Sequence, residues 1–196
     1  MIIGFLGRKR CGKDTAANVL INHMGFIRYA FGDPVKEVCR AMFCFNNEQL
    51  YGSKKEQVDP EWNITPRKAF QVIGTDFAQY SIYKEMPELE EKVPLRSFWV
   101  NRFNKWFDNQ IKENNDIKVV ISDVRFQHEV DAIKKLNGVI VQISSNREVY
   151  DTHLSENELE TIKKENIDYK LENNNSLEEF NLKVINLYEK IISSYD

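Results

Sequence analysis

The chain has 196 residues, 27 of them Lys or Arg and 30 Asp or Glu, for a formal net charge of −3. With 42% hydrophobic and 29% charged residues it has the composition of a soluble globular protein, long enough for one domain with a substantial core and a small inserted lid. The acidic balance speaks against a general binder of nucleic-acid polymers, which carries a basic excess, but leaves room for small phosphorylated ligands held by a local cluster of Lys and Arg.

In chain order, Ile2-Ile3-Gly4-Phe5-Leu6 is an apolar run closed by glycine and predicts a buried strand. From Lys13 to Met24, apolar Ala16, Ala17, Val19, Leu20 and Met24 predict a helical face, with Gly25 as its stop. Phe26–Phe31 predicts a second short strand. Asp33-Pro34 opens a helix, since proline suits a first turn, with Val35, Val38, Cys39 and Met42 as its inner face. Residues 45–65, with Gly52, Pro60 and Trp62, read as an irregular connection. Pro66 to about Tyr83 reads as helical, interrupted near Gly74, and Glu85–Lys92 as a solvated acidic loop. Leu95–Lys112 predicts a helix carrying Phe98, Trp99, Phe103, Trp106, Phe107 and Ile111, of which Phe98, Trp99 and Phe103 are read as core rather than as a base-stacking platform.

Ile117–Asp123 predicts a strand ending in a carboxylate, Glu129–Leu136 a helix, and Gly138–Ser144 the next buried strand. Ser155–Glu165 predicts a short helix and Ile167–Leu171 a last strand. Ser176 caps an amphipathic helix to Ser193, with Glu179 three residues on. Strands alternating with helices predict a parallel sheet wrapped by helices. No window approaches the ~20 apolar residues of a membrane span, and MIIGFLGRKR is too short an apolar run for a signal peptide. The cysteines Cys11, Cys39 and Cys44 have no zinc spacing and fit a reduced compartment, so a cytoplasmic protein is expected.

GRKRCGKDT, Gly7 to Thr15, nearly spells the phosphate loop G-x-x-x-x-G-K-[ST], between a strand and a helix as that loop requires. Its glycines let backbone N–H groups converge on an anion, the following helix points its positive end at the same place, and Lys13 reaches the β- and γ-phosphates. Asp14 stands where a hydroxyl is usual. Two roles are open for it: holding Mg²⁺, directly or through water, or stabilising the helix N-terminus as a first-turn acid. Thr15 is then a substitute hydroxyl ligand or supports the metal shell from outside. Cys11 is read as a small packed side chain.

Asp123, at the end of its strand, suits Mg²⁺ or a water of its shell. Arg125 is read either as a phosphate clamp or as the surface partner of Glu129, four residues on. The candidate acceptor segment is Thr65–Asp76, where Arg67 and Gln71 share a helical face, the first suited to an acceptor phosphate and the second to a base. Gly74 and Thr75 would let the backbone approach. A plain amphipathic helix end explains the same residues, a solvated lysine explains Lys36, and a core position explains Trp99.

The blocks GRKRCGKDTAA, GDPVKE, RKAFQVIGTD, ISDVRFQHEVDAI, DTHLSE and ENNNSLEEF, spread nearly end to end, resemble the deoxynucleoside monophosphate kinases of tailed bacteriophages. The GKD loop and the RxxxQxxGTD block are the more specific. The resemblance implies a P-loop NTPase-like α/β fold, a parallel sheet flanked by helices. It implies one kinase domain over residues 1–196, with residues about 45–113 forming a mostly helical acceptor-binding or lid insertion. It implies transfer of the ATP γ-phosphate to a deoxynucleoside monophosphate, with Mg²⁺, for nucleotide precursor supply, in the host cytoplasm if the protein is phage-encoded. Gly7, Arg10, Cys11, Gly12, Lys13, Asp14 and Thr15 then hold ATP phosphates. Lys36, Arg67, Gly74 and Thr75 look like acceptor-site residues, with Gln71 and Asp76 beside them and Trp99 near the substrate. Asp123 and Arg125 look like the strand-end pair near the transferred phosphate, with Lys13, Asp123 and Arg125 as the catalytic set and Asp14, Thr15 and Asp123 as the metal set. Asp151-Thr152-His153 matches a further block, whose residues also suit a turn. Arg8, Arg10, Arg125 and Arg147 are the candidates for the γ-phosphate.

Two departures bear on which bases are accepted. The chain lacks much of the lid of longer family members, and the acidic stretch Glu85–Lys92 lies in the acceptor region. A similar GKD loop occurs in animal-type phosphomevalonate kinases, so a kinase of another phosphorylated small molecule stays open, as does a nucleotide-binding protein without transferase activity. The partners expected are small-molecule nucleotides, with no nucleic-acid polymer and no membrane; a homodimer is left open.

Overall fold

The computed structural model describes residues 1–146 and 158–194. The chain divides into two compact units, Met1–Ala30 with Asn109–Asp196, and Phe31–Asp108.

The first unit is built on five parallel strands, β1 (Ile2–Leu6), β2 (Ile27–Tyr29), β3 (Val119–Val124), β4 (Val139–Ser144) and β5 (Tyr169–Glu172), in the order β2-β3-β1-β4-β5. Every residue of β1 is buried, as a strand covered on both faces demands, so it reads as continuous rather than alternating hydrophobicity. Ile3, Phe5, Val120, Val141 and Ile143 join α1 (Lys13–Met24) and the last helix, Leu177–Ser193, in one apolar cluster. On the other face a side chain at Gly4 would meet Ile133 of the helix Gln127–Lys135 at 2.9 Å, so glycine allows that helix to pack closely.

Gly25 closes α1 at φ 71, as its position predicts. Ser176 Oγ accepts from the Glu179 N–H at 3.2 Å and caps the last helix. The strand predicted over Phe26–Phe31 shrinks to Ile27–Tyr29, and the segment predicted as a helix over Ser155–Glu165 is, within the described residues, two 3₁₀ turns, Glu158–Thr161 and Lys164–Asn166.

The second unit is helical. α2 (Gly32–Phe43) buries Pro34, Val35 and Cys39, whereas Val38 and Met42, expected on its inner face, are exposed, Met42 by 52%. The apolar stripe is wider than the surface it packs against, a distinction periodicity cannot make. The connection 45–65 contains α3 (Asn47–Leu50), opened by a capping box between Asn46 and Gln49, and a 3₁₀ turn, Ser53–Glu56. α4 (Pro66–Gln71) starts at Thr65, whose hydroxyl accepts from Lys68 N–H at 3.1 Å.

The helix does not break at Gly74. It widens into a π-helical stretch, Val72–Ser81, and returns to α geometry at α5 (Ile82–Glu85). Gly74 lets α2 come close, since a Cβ there would stand 3.1 Å from Val35 Cγ1. A widened turn shifts the hydrogen-bond register and leaves a carbonyl to be met from outside the helix. The Gly74 carbonyl accepts from Trp99 Nε1 at 2.8 Å, and Trp99 lies in the helix Phe98–Glu113, beside a core of Phe31, Phe103 and Phe107. The acidic stretch forms an exposed 3₁₀ turn, Pro87–Glu91.

Candidate active site at the strand ends

The predicted phosphate loop leaves the C-terminal end of β1, the central strand. β1 leads through α1 to β2 on one side of the sheet, while its neighbour β3 leads through the helix Gln127–Lys135 to β4 on the other, and open parallel sheets bind ligands at such a point. Gly7 adopts φ 150, and a β-carbon there would collide with the Ile143 carbonyl of β4 and approach Cys11 Sγ at 2.7 Å. Arg10 bends the loop at φ 68 and the Cys11 N–H donates to Arg8 O at 3.2 Å. Gly12, at φ 109, starts α1 with no side-chain cap, so the first-turn N–H groups lie where an anion takes them. Cys11 is fully buried, the packed role expected of it.

Lys13 folds back over the loop. Its Nζ donates to Gly7 O at 2.6 Å and Arg8 O at 2.8 Å, with Cys11 Sγ at 3.7 Å. The ammonium is thus held at the loop by neutral carbonyls, partners that it can exchange for phosphate oxygens. Asp14 is exposed in the first turn of α1 and Thr15 is half-buried.

β3 brings its carboxylate to the same end. Leu6 pairs with Val124, so Asp123 and Arg125 flank the residue level with the last position before the loop. The segment is pinned by Glu129, whose Oε2 accepts from Arg125 N–H at 2.7 Å and Phe126 N–H at 3.2 Å. The expected pairing of Arg125 with Glu129 therefore runs in part through the Arg125 backbone. Glu129 is 3% exposed, and burial, reinforced by the charge of Asp123, pushes its carboxyl up to about 8 against the two N–H bonds that oppose the shift. Arg28 of β2 donates from Nε to Ser122 Oγ at 3.1 Å, one position before Asp123 in β3.

Among the described residues no three carboxylates, histidines or cysteines gather as a closed metal site. Mg²⁺ takes oxygen ligands from one or two carboxylates, substrate phosphates and water, and Asp14, Thr15 and Asp123 carry oxygen donors of that kind. A cavity of about 310 Å³, lined by Met24, Ile27, Glu113, Asp116 and Lys118 among others, opens where β2 and β3 begin, away from the loop.

In the second unit, Arg67 donates from Nε and Nη2 to Glu56 Oε1 at 3.1 and 3.0 Å. Lys36 Nζ lies 2.9 Å from Asp33 Oδ1 and 4.5 Å above the Tyr51 ring, so it is a paired lysine rather than a merely solvated one. Gly74 and Thr75 are buried, Gln71 is half-buried, and Asp76 is exposed. Trp99 is 7% exposed and donates to the Gly74 carbonyl, which gives it a core position. Arg147 and the block Asp151-Thr152-His153 lie outside the described residues.

Sequence reasoning missed Glu129 as a buried anchor, Arg28, and Asn173, whose side chain donates to Cys11 O at 3.0 Å. It also missed Gln79, 2% exposed on the π-helical stretch, whose Oε1 has no hydrogen-bond partner among the described residues. The one signal for Asn173 was its place in the ENNNSLEEF block.

A solved dephospho-CoA kinase from Campylobacter jejuni superposes with a TM-score of 0.52 at 15% identity, covering 100% of this chain and 98% of its own. A sugar kinase from Janibacter sp. HTCC2649 does so at 0.51 and 11%, covering 96% and 94%. These establish the P-loop kinase fold alone. A protein of Acanthamoeba polyphaga mimivirus, whose name provisionally assigns it as a deoxynucleotide monophosphate kinase, is 40% identical over 200 residues, spanning 100% of this chain and 96% of that one. The model of the family Deoxynucleotide monophosphate kinase matches residues 1–57 and 44–184. With the GKD loop and the strand-end Asp123-Val124-Arg125 at one end of the sheet, the chain belongs to the deoxynucleotide monophosphate kinase family.

Proposed function

We propose that the chain moves the γ-phosphate of ATP to a deoxynucleoside monophosphate, releasing ADP and the deoxynucleoside diphosphate. An oxygen of the acceptor phosphate attacks the γ-phosphorus, and the bond from that phosphorus to the β,γ-bridging oxygen breaks. The observation that carries this reading is the register of β1 with β3, which sets Asp123 and Arg125 level with the start of the loop that bears Lys13.

Such chemistry asks a protein for positioning and charge neutralisation. The loop N–H groups and the start of α1 hold the donor phosphates. Lys13 exchanges the carbonyls of Gly7 and Arg8 for phosphate oxygens and neutralises charge as the phosphoryl group moves. Arg125, on a segment anchored by Glu129, suits the same task. Asp123, Asp14 and Thr15 are the groups that would hold Mg²⁺ or its waters, and the ion would supply positive charge against the donor phosphates. We assign the acceptor to the helical region of residues about 45–113, together with Lys36. There Arg67 and Lys36 would bind the acceptor phosphate after leaving Glu56 and Asp33, while Gln71, Thr75 and Trp99 face its nucleoside. The protein is expected in the cytoplasm; no described helix is long and apolar enough to cross a membrane.

An ADP-release assay over a panel of deoxynucleoside and nucleoside monophosphates tests the reading. Turnover with at least one deoxynucleoside monophosphate is expected. No acceptor-dependent ADP release across the panel sinks it.

A further inference from the structure

Asn173 follows β5 and ties three strand ends together. Its N–H donates to Ser144 O at 2.8 Å, and its carbonyl accepts from Ser145 Oγ at 2.7 Å. Its side-chain Nδ2 donates to Cys11 O at 3.0 Å, across 162 positions of sequence, into the middle of the phosphate loop. A carbonyl only accepts, so the NH₂ end of the amide is the end that must face Cys11. A β-carbon built on Gly12 would run into this same Nδ2. The amide therefore lies directly against the Cys11–Gly12 peptide.

That peptide is trans, and in a trans peptide the C=O and N–H point in opposite directions. With Cys11 O drawn to Asn173, the Gly12 N–H is turned away from Asn173. Gly12 itself, at φ 109, is free to adopt more than one backbone geometry. The orientation of this peptide is thus a soft variable of the loop, and a bond from outside the loop is what holds it.

We infer that Asn173 is a positioning residue of the phosphate loop. It fixes the Cys11–Gly12 peptide so that the Gly12 N–H faces the side on which a polyphosphate binds. It acts through the backbone and does not touch the reacting atoms. The backbone bonds of Asn173 to Ser144 and Ser145 survive any replacement of its side chain, so the link between β4 and β5 remains when the amide is lost. The inference rests on reading the loop as a polyphosphate site, but not on which acceptor is phosphorylated.

The test is direct binding, independent of turnover. Calorimetric titration of Asn173→Ser with inorganic tripolyphosphate and with ADP should show at least tenfold weaker binding of both, with a melting temperature near that of the wild type. A variant that binds tripolyphosphate like the wild type but has lost ADP overturns the inference, because the side chain would then be serving the nucleoside. Unchanged binding of both overturns it as well. Should Asn173→Ser fail to fold, the wild-type chain still decides the matter: tripolyphosphate should slow hydrogen exchange at the Gly12 amide, and an unmoved Gly12 amide refutes the orientation. Absence of kinase turnover with tripolyphosphate binding retained would refute the proposed reaction and leave this inference standing.

Discussion

The strand-end loops of the first unit and the helical second unit hold their charged groups in different ways. At the strand ends backbone groups hold two of the charged side chains. Lys13 is bound by two carbonyls, Glu129 by two N–H groups, and the loop by an asparagine amide on its own carbonyl. In the second unit the cations are held by carboxylates, Arg67 by Glu56 and Lys36 by Asp33. Backbone partners are set by the sheet and fix a geometry. Carboxylate partners are side chains that a phosphate can displace. The first arrangement suits a group invariant in every substrate, the donor polyphosphate; the second suits a site that opens and refills.

The sharpest way to break this contrast is Lys13→Ala. Loss of a charge-stabilising group of this kind costs about 10² to 10³ in kcat, and turnover within tenfold of wild type would remove Lys13 from its assigned role. Next comes Arg67→Ala, expected to raise the acceptor KM about tenfold or more while the ATP KM stays within about twofold. Initial rates with each substrate varied in turn check this, and an equal rise in both KM values would dissolve the division of labour.

Glu129→Gln probes the buried anchor by pH. Below about 4.5 the carboxyl keeps its proton whether the chain is folded or unfolded. Between there and about 8 only the unfolded chain releases it, so Glu129 costs the wild type progressively more stability as pH rises, and above about 8 the cost is constant. Glutamine can still accept from Arg125 and Phe126 and has no proton to lose. Denaturant melts at several pH values should therefore show the variant gaining on the wild type from pH 4.5 to 8; a constant difference would mean an ordinary carboxyl. The smallest effect belongs to Met42→Ala, on the exposed side of α2, expected within about 0.5 kcal/mol of wild type. A loss of several kcal/mol would show that the face is packed after all.

The contrast also explains what could be read in advance. The phosphate loop was legible because its chemistry needs glycines at fixed spacing between a strand and a helix, and Gly7 and Gly12 do take up backbone angles unfavourable to other residues. Asp123 was legible because a carboxylate closing an apolar run is a pattern local in sequence. Glu129 was not, because a glutamate in a first helical turn looks solvated until the fold buries it. Val38 and Met42 misled, since their spacing matches an inner face that α2 has only in part. The π-helical widening at Gly74 looked like a break, because glycine marks irregularity without naming its kind.

By itself, then, the sequence determined the alternation of strands and helices, the phosphate loop with its lysine, and the strand-end carboxylate, all of which depend on residues close together in the chain. Only the tertiary structure decided which partners hold those groups. Asn173 meets Cys11 across 162 positions, and Glu129 becomes a buried acid only when β3 and its following helix pack into the core. Burial and hydrogen-bond partnership between distant residues are properties of packing, and no local pattern of residue types encodes them.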